Sequence, residues 1–108
     1  MSIKLWLDDV RPRPEGWTWV QSVEDAITLL RTSAVEFASL DHDLGEYASN
    51  GGNGVALTDW MAENDCWPRS GIRIHSSNPV GVRTMLATVD RYGPYRPTGG
   101  RTRLAASQ

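Results

Sequence analysis

A chain of 108 residues is long enough for one hydrophobic core and too short for two, which predicts a single domain. The ordinary apolar share (40%) and charged share (22%) exclude wholesale disorder, and a net charge of -2 disfavours binding to duplex nucleic acid through phosphate neutralisation. The single cysteine, Cys66, excludes an internal disulfide, and no apolar run approaches the roughly 20 residues of a membrane span. We therefore expect a soluble, cytoplasmic protein that binds neither duplex nucleic acid nor a membrane, whereas a small phosphate-bearing ligand needs only a local set of donors.

The first third of the chain predicts two strands and a helix. Residues 3–7 alternate and are rich in strand-forming residues, and this strand ends at Asp8 and Asp9, before a proline-rich loop. Residues 17–20 predict a second short strand. Ser22 is the predicted N-cap of a helix whose apolar stripe continues to about residue 32.

The middle of the chain predicts a strand, a loop, a helix and another strand. The third strand covers residues 35–40, and residues 45–53 form a loop rich in glycine and asparagine. A second helix begins near Val55 and ends before Pro68, because the residue before proline avoids helical geometry. Residues 72–75 predict the fourth strand.

The remaining elements complete a predicted α/β domain of residues 1–93. Asn78 and Pro79 are typical of the N-cap and the first residue of a third helix, which closes near residue 93. Residues 94–108 predict a flexible C-terminal tail with at most a short edge strand at 102–105. The order of elements predicts three layers: about four mostly parallel strands with helices on both faces, truncated after the third helix.

Three of the predicted strands end in clusters of polar residues. The first strand ends in Asp8 and Asp9, the third in Asp41, His42 and Asp43, and the fourth in His75 followed by Ser76, Ser77 and Asn78. Because the carboxyl ends of parallel strands lie along one edge of an open sheet, these clusters are expected to form one site.

The carboxylates of this site have two interpretations. Adjacent ionised groups such as Asp8 and Asp9 repel each other, so with Asp41 they are candidates for a divalent cation such as Mg²⁺ or Mn²⁺. The alternative for the pair is a solvated turn in which the carboxylates bond to Arg11 or Arg13.

The two histidines are the candidate acid–base groups. Histidine titrates near neutral pH, and a neighbouring carboxylate, here Asp41 or Asp43, can fix its tautomer. The alternative for His42 is a histidine that caps a strand end by hydrogen bonds, but the equivalent position of His75 on another strand favours a functional role. We also predict that Asp9 is a catalytic residue.

The residues after His75 are candidates for substrate binding. Hydroxyl groups and a helix N-terminus present donors to an anion, although serine and asparagine are also ordinary N-caps. An exposed helix arginine needs no ligand, yet one in the first turn of the third helix can reach a phosphate, and a tyrosine in the glycine-rich loop is placed to stack on a ligand as a lid. The predicted substrate-binding residues are Arg11, Tyr47, Ser76, Ser77, Asn78 and Arg83.

Residues 5–12, 39–45 and 75–81 together resemble the cyclic-phosphate processing receiver-like domains, a branch of the response-regulator receiver fold. The resemblance covers residues 3 to about 91 and implies a receiver-like, flavodoxin-like sheet. It further implies hydrolysis of a cyclic phosphate or cyclic nucleotide. The chain is similar to small phage proteins that cleave the cyclic dinucleotide signals of bacterial anti-phage defence.

A signalling receiver carries an acidic pair, a phosphoacceptor aspartate, a Ser or Thr, and a lysine after its fifth strand. The acidic pair and Asp41 match this pattern, and Ser76 can match the hydroxyl. The two histidines do not belong to it, and the sequence shows no fifth strand with its lysine. Phosphotransfer signalling is therefore disfavoured.

Two main hypotheses follow. In the first, a cyclic-nucleotide phosphodiesterase uses one histidine to activate water or a ribose hydroxyl and the other to protonate the leaving oxygen, while the carboxylates orient the histidines or hold a divalent metal. The alternative is a non-catalytic module that sequesters a nucleotide or docks a partner protein. A third, weaker hypothesis is a conventional receiver phosphorylated on Asp41. A site at the edge of so small a sheet suggests a homodimer that encloses the ligand.

Overall fold

The structure is a computed structural model that describes residues 2–106. For Pro97 it describes the backbone only. Serine 22 and Asn78 cap their helices as predicted, since each side chain accepts a hydrogen bond from a backbone N–H of the first turn. The described elements, in chain order, are β1 (Ser2–Leu7), β2 (Thr18–Val20), α1 (Val23–Thr32), β3 (Ala34–Leu40), a 3₁₀ helix (Gly45–Ser49), α2 (Gly54–Asn64), β4 (Gly71–Ile74), α3 (Pro79–Tyr92), β5 (Tyr95–Pro97) and β6 (Thr102–Ala105).

The strands form one mixed sheet in the order β2-β1-β3-β4-β6-β5. The four strands β2, β1, β3 and β4 are parallel, whereas β6 is antiparallel to both β4 and β5. The predicted mostly parallel, receiver-like α/β fold is confirmed. One consequence of the antiparallel pairing is that the amino end of β6 lies at the same edge of the sheet as the carboxyl ends of β1, β3 and β4.

The C-terminal segment corrects the prediction of a flexible tail. Residues 95–97 and 102–105 add two strands to the four that were predicted, and Arg103 pairs with Ile72 of β4. The buried Arg103 donates from Nε to the Asp90 carboxylate at 2.6 Å, which ties β6 to α3. The short strand predicted at 102–105 is present as β6, but it lies between β4 and β5 instead of at the edge of the sheet, and residues 107–108 of the predicted tail lie outside the described residues.

The three helices share one core with one face of the sheet. This core contains Leu5 and Leu7 of β1, Ala38 and Leu40 of β3, Ile72 and Ile74 of β4, Val23, Ala26 and Leu30 of α1, Leu57 and Met61 of α2, and Val82, Met85 and Val89 of α3. Side chains alternate along a strand, so the intervening residues face the other way.

The opposite face of the sheet is covered by aromatic rings. Trp17 makes edge-to-face contacts with Trp6 and Phe37, with ring centroids 5.9 Å apart in each pair. The sequence predicted helices on both faces, whereas the structure has all three helices on one face. A loop, not a helix, connects β1 to β2. None of the helices described is long and apolar enough to cross a membrane.

Candidate active site at the sheet edge

The three predicted clusters lie side by side at the carboxyl edge of the sheet. The Asp41 N–H donates to the carbonyl of Leu7 at 2.9 Å, and the His75 N–H donates to the carbonyl of Leu40 at 2.8 Å. These ladder bonds place the residues that follow β1, β3 and β4 next to one another. The carboxylates and histidines therefore converge at one edge of the sheet, as the parallel order of the strands predicts.

Three carboxylates form an acidic cluster at this edge. Asp8, Asp9 and Asp41 each offer an oxygen atom, and these atoms lie within 4.8 Å of one another. Asp8 is fully buried and the other two are half-buried. Hard divalent cations prefer such oxygen ligands, so the donor set fits Mg²⁺ or Mn²⁺. Gly45 makes room for the cluster, because a Cβ atom there would lie 2.8 Å from Oδ2 of Asp9.

Asp8 is held by three hydrogen bonds. Its Oδ1 accepts from the backbone N–H groups of Val10 (2.9 Å) and Arg11 (2.8 Å), and its Oδ2 accepts from Nε2 of His75 (2.9 Å). Burial alone would raise the pKa of Asp8, but these hydrogen bonds together hold its pKa below the ordinary value. Asp8 is consequently a fixed, ionised carboxylate.

Asp41 lies in a less favourable environment. Burial raises its pKa, and the negative charge of Asp8 raises it further, although Oδ1 of Asp41 accepts a hydrogen bond from the His42 N–H at 2.8 Å. Two carboxylates that share a site resist simultaneous ionisation. A divalent cation bound by the acidic cluster would relieve this repulsion.

His75 is enclosed by hydrogen bonds and by an aromatic ring. Its Nε2 bonds to Asp8, its Nδ1 lies 2.7 Å from Oγ of Ser39, and its ring stacks on Trp6 at 4.0 Å with 5° between the planes. Since Asp8 only accepts, Nε2 carries the proton and Nδ1 accepts from the Ser39 hydroxyl. Burial lowers the pKa of His75 more than the Asp8 charge raises it. A neutral histidine with both nitrogens engaged is suited to positioning Asp8.

His42 has a different environment. Its Nδ1 lies 2.8 Å from Oδ1 of Asp43, and Asn78 donates from Nδ2 to Oδ2 of the same carboxylate at 3.2 Å. The hydrogen bond from His42 is the main cause of the lowered pKa of Asp43. Among the described residues, Nε2 of His42 has no hydrogen-bond partner, and the side chain is 16% exposed. With the proton on Nδ1, the free lone pair of Nε2 can accept a proton from a ligand or from water.

The first turn of α3 supports the His42 ring. A Cβ atom on Gly81 would lie 2.4 Å from Cγ of His42, so only glycine permits this close approach. Asn78 caps the same helix, because its Oδ1 accepts from the Gly81 N–H at 2.9 Å. His42, Asp43 and Asn78 therefore form one hydrogen-bonded unit at the helix N-terminus.

The chain matches the family model of the cyclic-phosphate processing receiver domain over residues 3–91. This protein belongs to that family. The match contains the whole site described above and confirms the resemblance noted in the sequence. A search of curated proteins gave no match.

The receiver domain brings some of the predicted substrate-binding residues to the site and leaves others apart. Arg11 donates from Nη1 to the carbonyl of His75 at 3.0 Å, and Ser76 accepts at Oγ from the Asn78 N–H at 3.0 Å. Ser77 is exposed beside them. By contrast, Tyr47 packs against the core, and the exposed Arg83 makes no hydrogen bond to the site among the described residues. The roles assigned to these six residues stay predictions.

Sequence reasoning missed several residues of the receiver domain's site. Ser39 is a buried hydroxyl that interrupts the apolar run of Phe37, Ala38 and Leu40 in β3, and a polar residue within that run was the available signal. Trp6 looked like an ordinary core residue, yet its Nε1 donates to the carbonyl of Arg11 at 3.0 Å and its ring covers His75. Arg101 lies in the segment that was predicted to be a tail, so nothing in the pattern connected it with the site.

One groove on the molecule is separate from the candidate site. A groove of about 310 Å³ lies between α2 and α3 and is lined by Asp59, Ala62, Glu63, Thr88 and Tyr92. None of these residues belongs to the acidic cluster or forms a side-chain hydrogen bond with His42 or His75. The candidate site is the sheet edge, because carboxylates and histidines from three separate strand ends converge there.

His75 is expected to contribute a fall in the free energy of unfolding of the receiver domain as the pH is lowered from 7 to 5, and the raised pKa of Asp41 acts in the opposite direction. The folded-state pKa of His75 lies below its unfolded value of about 6.5, so the unfolded chain binds a proton that the folded chain does not. One such proton gives a slope of at most about 1.4 kcal/mol per pH unit, and the lowered pKa of Asp8 continues the loss below about pH 4. Urea unfolding at each pH measures this slope, and a His75→Gln variant should lose the part between pH 7 and 5. An equal slope in that variant would contradict the assignment.

Proposed function

We propose that this receiver domain is a phosphodiesterase that hydrolyses a cyclic nucleotide, and in particular a cyclic dinucleotide. The observation that carries the proposal is the free Nε2 of His42, oriented by Asp43 and placed at the edge that also holds the acidic cluster. An oriented imidazole next to a cation-binding set of carboxylates is suited to phosphoryl hydrolysis. The family name, which refers to the processing of cyclic phosphates, supports the same class of reaction.

In the proposed reaction, the oxygen of a water molecule forms a bond to phosphorus and one P–O ester bond breaks. Nε2 of His42 takes the proton from the attacking water and later releases it to solvent, while a solvent water protonates the leaving oxygen on the opposite side of phosphorus, so the histidine is restored at the end of the cycle. While the proton resides on the ring, the Asp43 carboxylate at 2.8 Å from Nδ1 stabilises the imidazolium. Asn78 keeps that carboxylate in place by its own hydrogen bond.

The acidic cluster has a supporting part in this proposal. Asp8, Asp9 and Asp41 would hold a Mg²⁺ or Mn²⁺ ion, which lowers the pKa of bound water and neutralises phosphate charge. His75 acts as a positioning residue because it fixes the Asp8 carboxylate through Nε2. The exposed Ser77, near the N-terminus of α3, would donate to a phosphate oxygen.

A second candidate is a module that binds the cyclic nucleotide without cleaving it. The enclosure of His75 favours this candidate, because two-histidine acid–base catalysis needs a second free imidazole. A conventional phosphorylated receiver has less support. The only lysine in the sequence, Lys4, lies over the Trp17 ring at 5.9 Å within β1, away from the carboxyl edge.

The proposed biological role is the removal of cyclic dinucleotide signals that bacteria use in defence against phages. It rests on the likeness of the residue motifs to small phage proteins with that activity, and it places the protein in the cytoplasm of the infected cell. Because the site lies along the edge of a small sheet, the proposal includes a homodimer in which a second subunit encloses the dinucleotide. Sedimentation velocity at increasing protein concentration tests this dimer, and a single monomeric species throughout would contradict it.

The test of the proposed function is incubation with a panel of cyclic mono- and dinucleotides, with and without EDTA, followed by chromatographic separation. We expect ring opening of a cyclic dinucleotide that EDTA suppresses and Mg²⁺ or Mn²⁺ restores. Cleavage that is insensitive to EDTA would assign the carboxylates to orienting the histidines. Saturable binding with intact ligand would favour the second candidate.

In the absence of metal, an Asp41→Asn variant is expected to be more stable than the parent protein. Its Tm should not change when metal is added. The substitution removes a half-buried charge whose pKa is raised by burial and by Asp8, while an amide oxygen can still accept from the His42 N–H. A ligand at 100 times its Kd stabilises the parent by about 2.7 kcal/mol, and each kcal/mol raises the Tm of a domain this size by about 4–8 °C. Thermal unfolding in EDTA and in excess Mg²⁺ or Mn²⁺ measures both effects.

The matched control is Asp43→Asn, which neutralises an exposed carboxylate outside the acidic cluster. This variant should keep the metal-induced rise in Tm. A metal response that survives in Asp41→Asn would remove Asp41 from the cation site.

A further inference from the structure

β6 brings an arginine to the edge of the sheet that carries the site. Because β6 is antiparallel to β4, its amino end lies beside the carboxyl end of β4. Arg101 directly precedes β6, and its carbonyl accepts a hydrogen bond from the Ile74 N–H at 3.1 Å. Arg101 is therefore next to the strand end that leads into His75, although it lies outside the residues matched by the family model.

The side chain of Arg101 is directed toward the site. Its Nη1 donates to the carbonyl of Ser76, and Nη1 of Arg11 donates to the carbonyl of His75, the preceding residue. Guanidinium groups from two distant parts of the chain thus bond to consecutive carbonyls of one short segment. We call Arg11 and Arg101 the arginine pair.

The arginine pair has no carboxylate partner among residues 2–106. In that part of the chain, the arginine that forms an ion pair with a carboxylate is Arg103, which pairs with Asp90. Both members of the arginine pair are exposed, and each makes one side-chain hydrogen bond there, which leaves most of its five N–H donors free. Two neighbouring positive charges repel each other unless an anion lies near them. A phosphate group, which guanidinium binds in a bidentate manner, matches this arrangement.

We propose that the arginine pair binds the second phosphate of a cyclic dinucleotide while the first phosphate lies at His42 and the acidic cluster. This inference rests on the proposed function and specifies its substrate class as a ring with two phosphodiester groups. The acidic cluster would repel a second phosphate, so a separate cationic position is needed for it. Arg11 and Arg101 supply that position at the same sheet edge.

The test compares Arg101→Gln with Arg96→Gln, a matched control that removes an exposed arginine from the same hairpin. The probes are cyclic di-AMP, cyclic di-GMP and cyclic GMP–AMP, together with bis(p-nitrophenyl) phosphate, which has a single phosphodiester. Arg101→Gln should raise the KM for the dinucleotide that is cleaved by about 10-fold or more, the loss typical of a charged hydrogen bond, and leave kcat largely unchanged. It should leave kcat/KM for the single diester unchanged, and Arg96→Gln should change neither.

Parallel loss on both kinds of substrate, or an unchanged KM for the dinucleotide, would overturn the proposal. Arg101→Lys keeps the charge without the bidentate geometry and should give an intermediate KM, which guards against a folding defect in the glutamine variant. Calorimetric binding in EDTA separates this inference from the proposed function. If the parent protein binds the dinucleotide without cleaving it, and Arg101→Gln weakens that binding, the arginine pair is supported and the hydrolase is rejected. If the parent protein does not bind a dinucleotide, the arginine pair is overturned, even when a mononucleotide is cleaved.

Discussion

Replacement of His42 by alanine is expected to lower kcat for the cleaved cyclic nucleotide by about 10²- to 10⁴-fold, the usual contribution of a general acid–base group. The free Nε2 of this residue is the site's available proton acceptor, and the KM should change little because the phosphate-binding groups remain. Steady-state kinetics with the nucleotide identified in the panel measures the effect. Circular dichroism and thermal unfolding establish that the variant is folded.

The matched comparison for His42→Ala is His75→Gln. A glutamine amide can replace the N–H that His75 donates to Asp8, so this variant should keep most of its activity, within about 10-fold of the parent. Equal losses in the two variants would return the second histidine to direct acid–base catalysis. Full activity in His42→Ala would remove His42 from the mechanism altogether.

Replacement of Asp8 by alanine is expected to reduce the free energy of unfolding by about 3–5 kcal/mol, the typical cost of removing one member of a buried, hydrogen-bonded ionic network. The fully buried carboxylate accepts from the N–H groups of Val10 and Arg11 and from Nε2 of His75. Alanine would leave these donors without an acceptor. Urea denaturation at pH 7 measures the loss.

Asp43→Ala provides the contrast for Asp8→Ala. The Asp43 side chain is 59% exposed, so its removal should cost less than about 1 kcal/mol of stability while reducing turnover through the loss of His42 orientation. The two substitutions should therefore separate stability from activity at one site. Comparable destabilisation by both would contradict the distinction between the buried and the exposed carboxylate.

The position of the site could be predicted from the sequence because it depends on local patterns. The strand ends that precede Asp8, Asp41 and His75 are visible as apolar runs followed by polar residues, and the parallel order of the sheet then brings these ends together. The N-caps of α1 and α3 were predicted for the same reason, since a cap is formed within a few residues of the chain.

The environments of the two histidines could not be predicted, because they depend on contacts between distant residues. His75 is enclosed by Asp8, 67 positions away, and by Ser39, 36 positions away. His42 owes its orientation to its neighbour Asp43, but its accessibility depends on the packing of α3. Two histidines at equivalent strand ends therefore looked alike in sequence and differ in the fold.

The two outermost strands of the sheet, β2 and β5, contain only three residues each, and β5 ends at a proline, which has no N–H to donate. Short edge strands and edge proline offer few unpaired backbone groups to a further strand. Lateral addition of another chain, which leads to continuous sheets and aggregation, is thereby disfavoured at both borders. Self-association of this protein should consequently proceed through side-chain contacts and leave each six-stranded sheet separate.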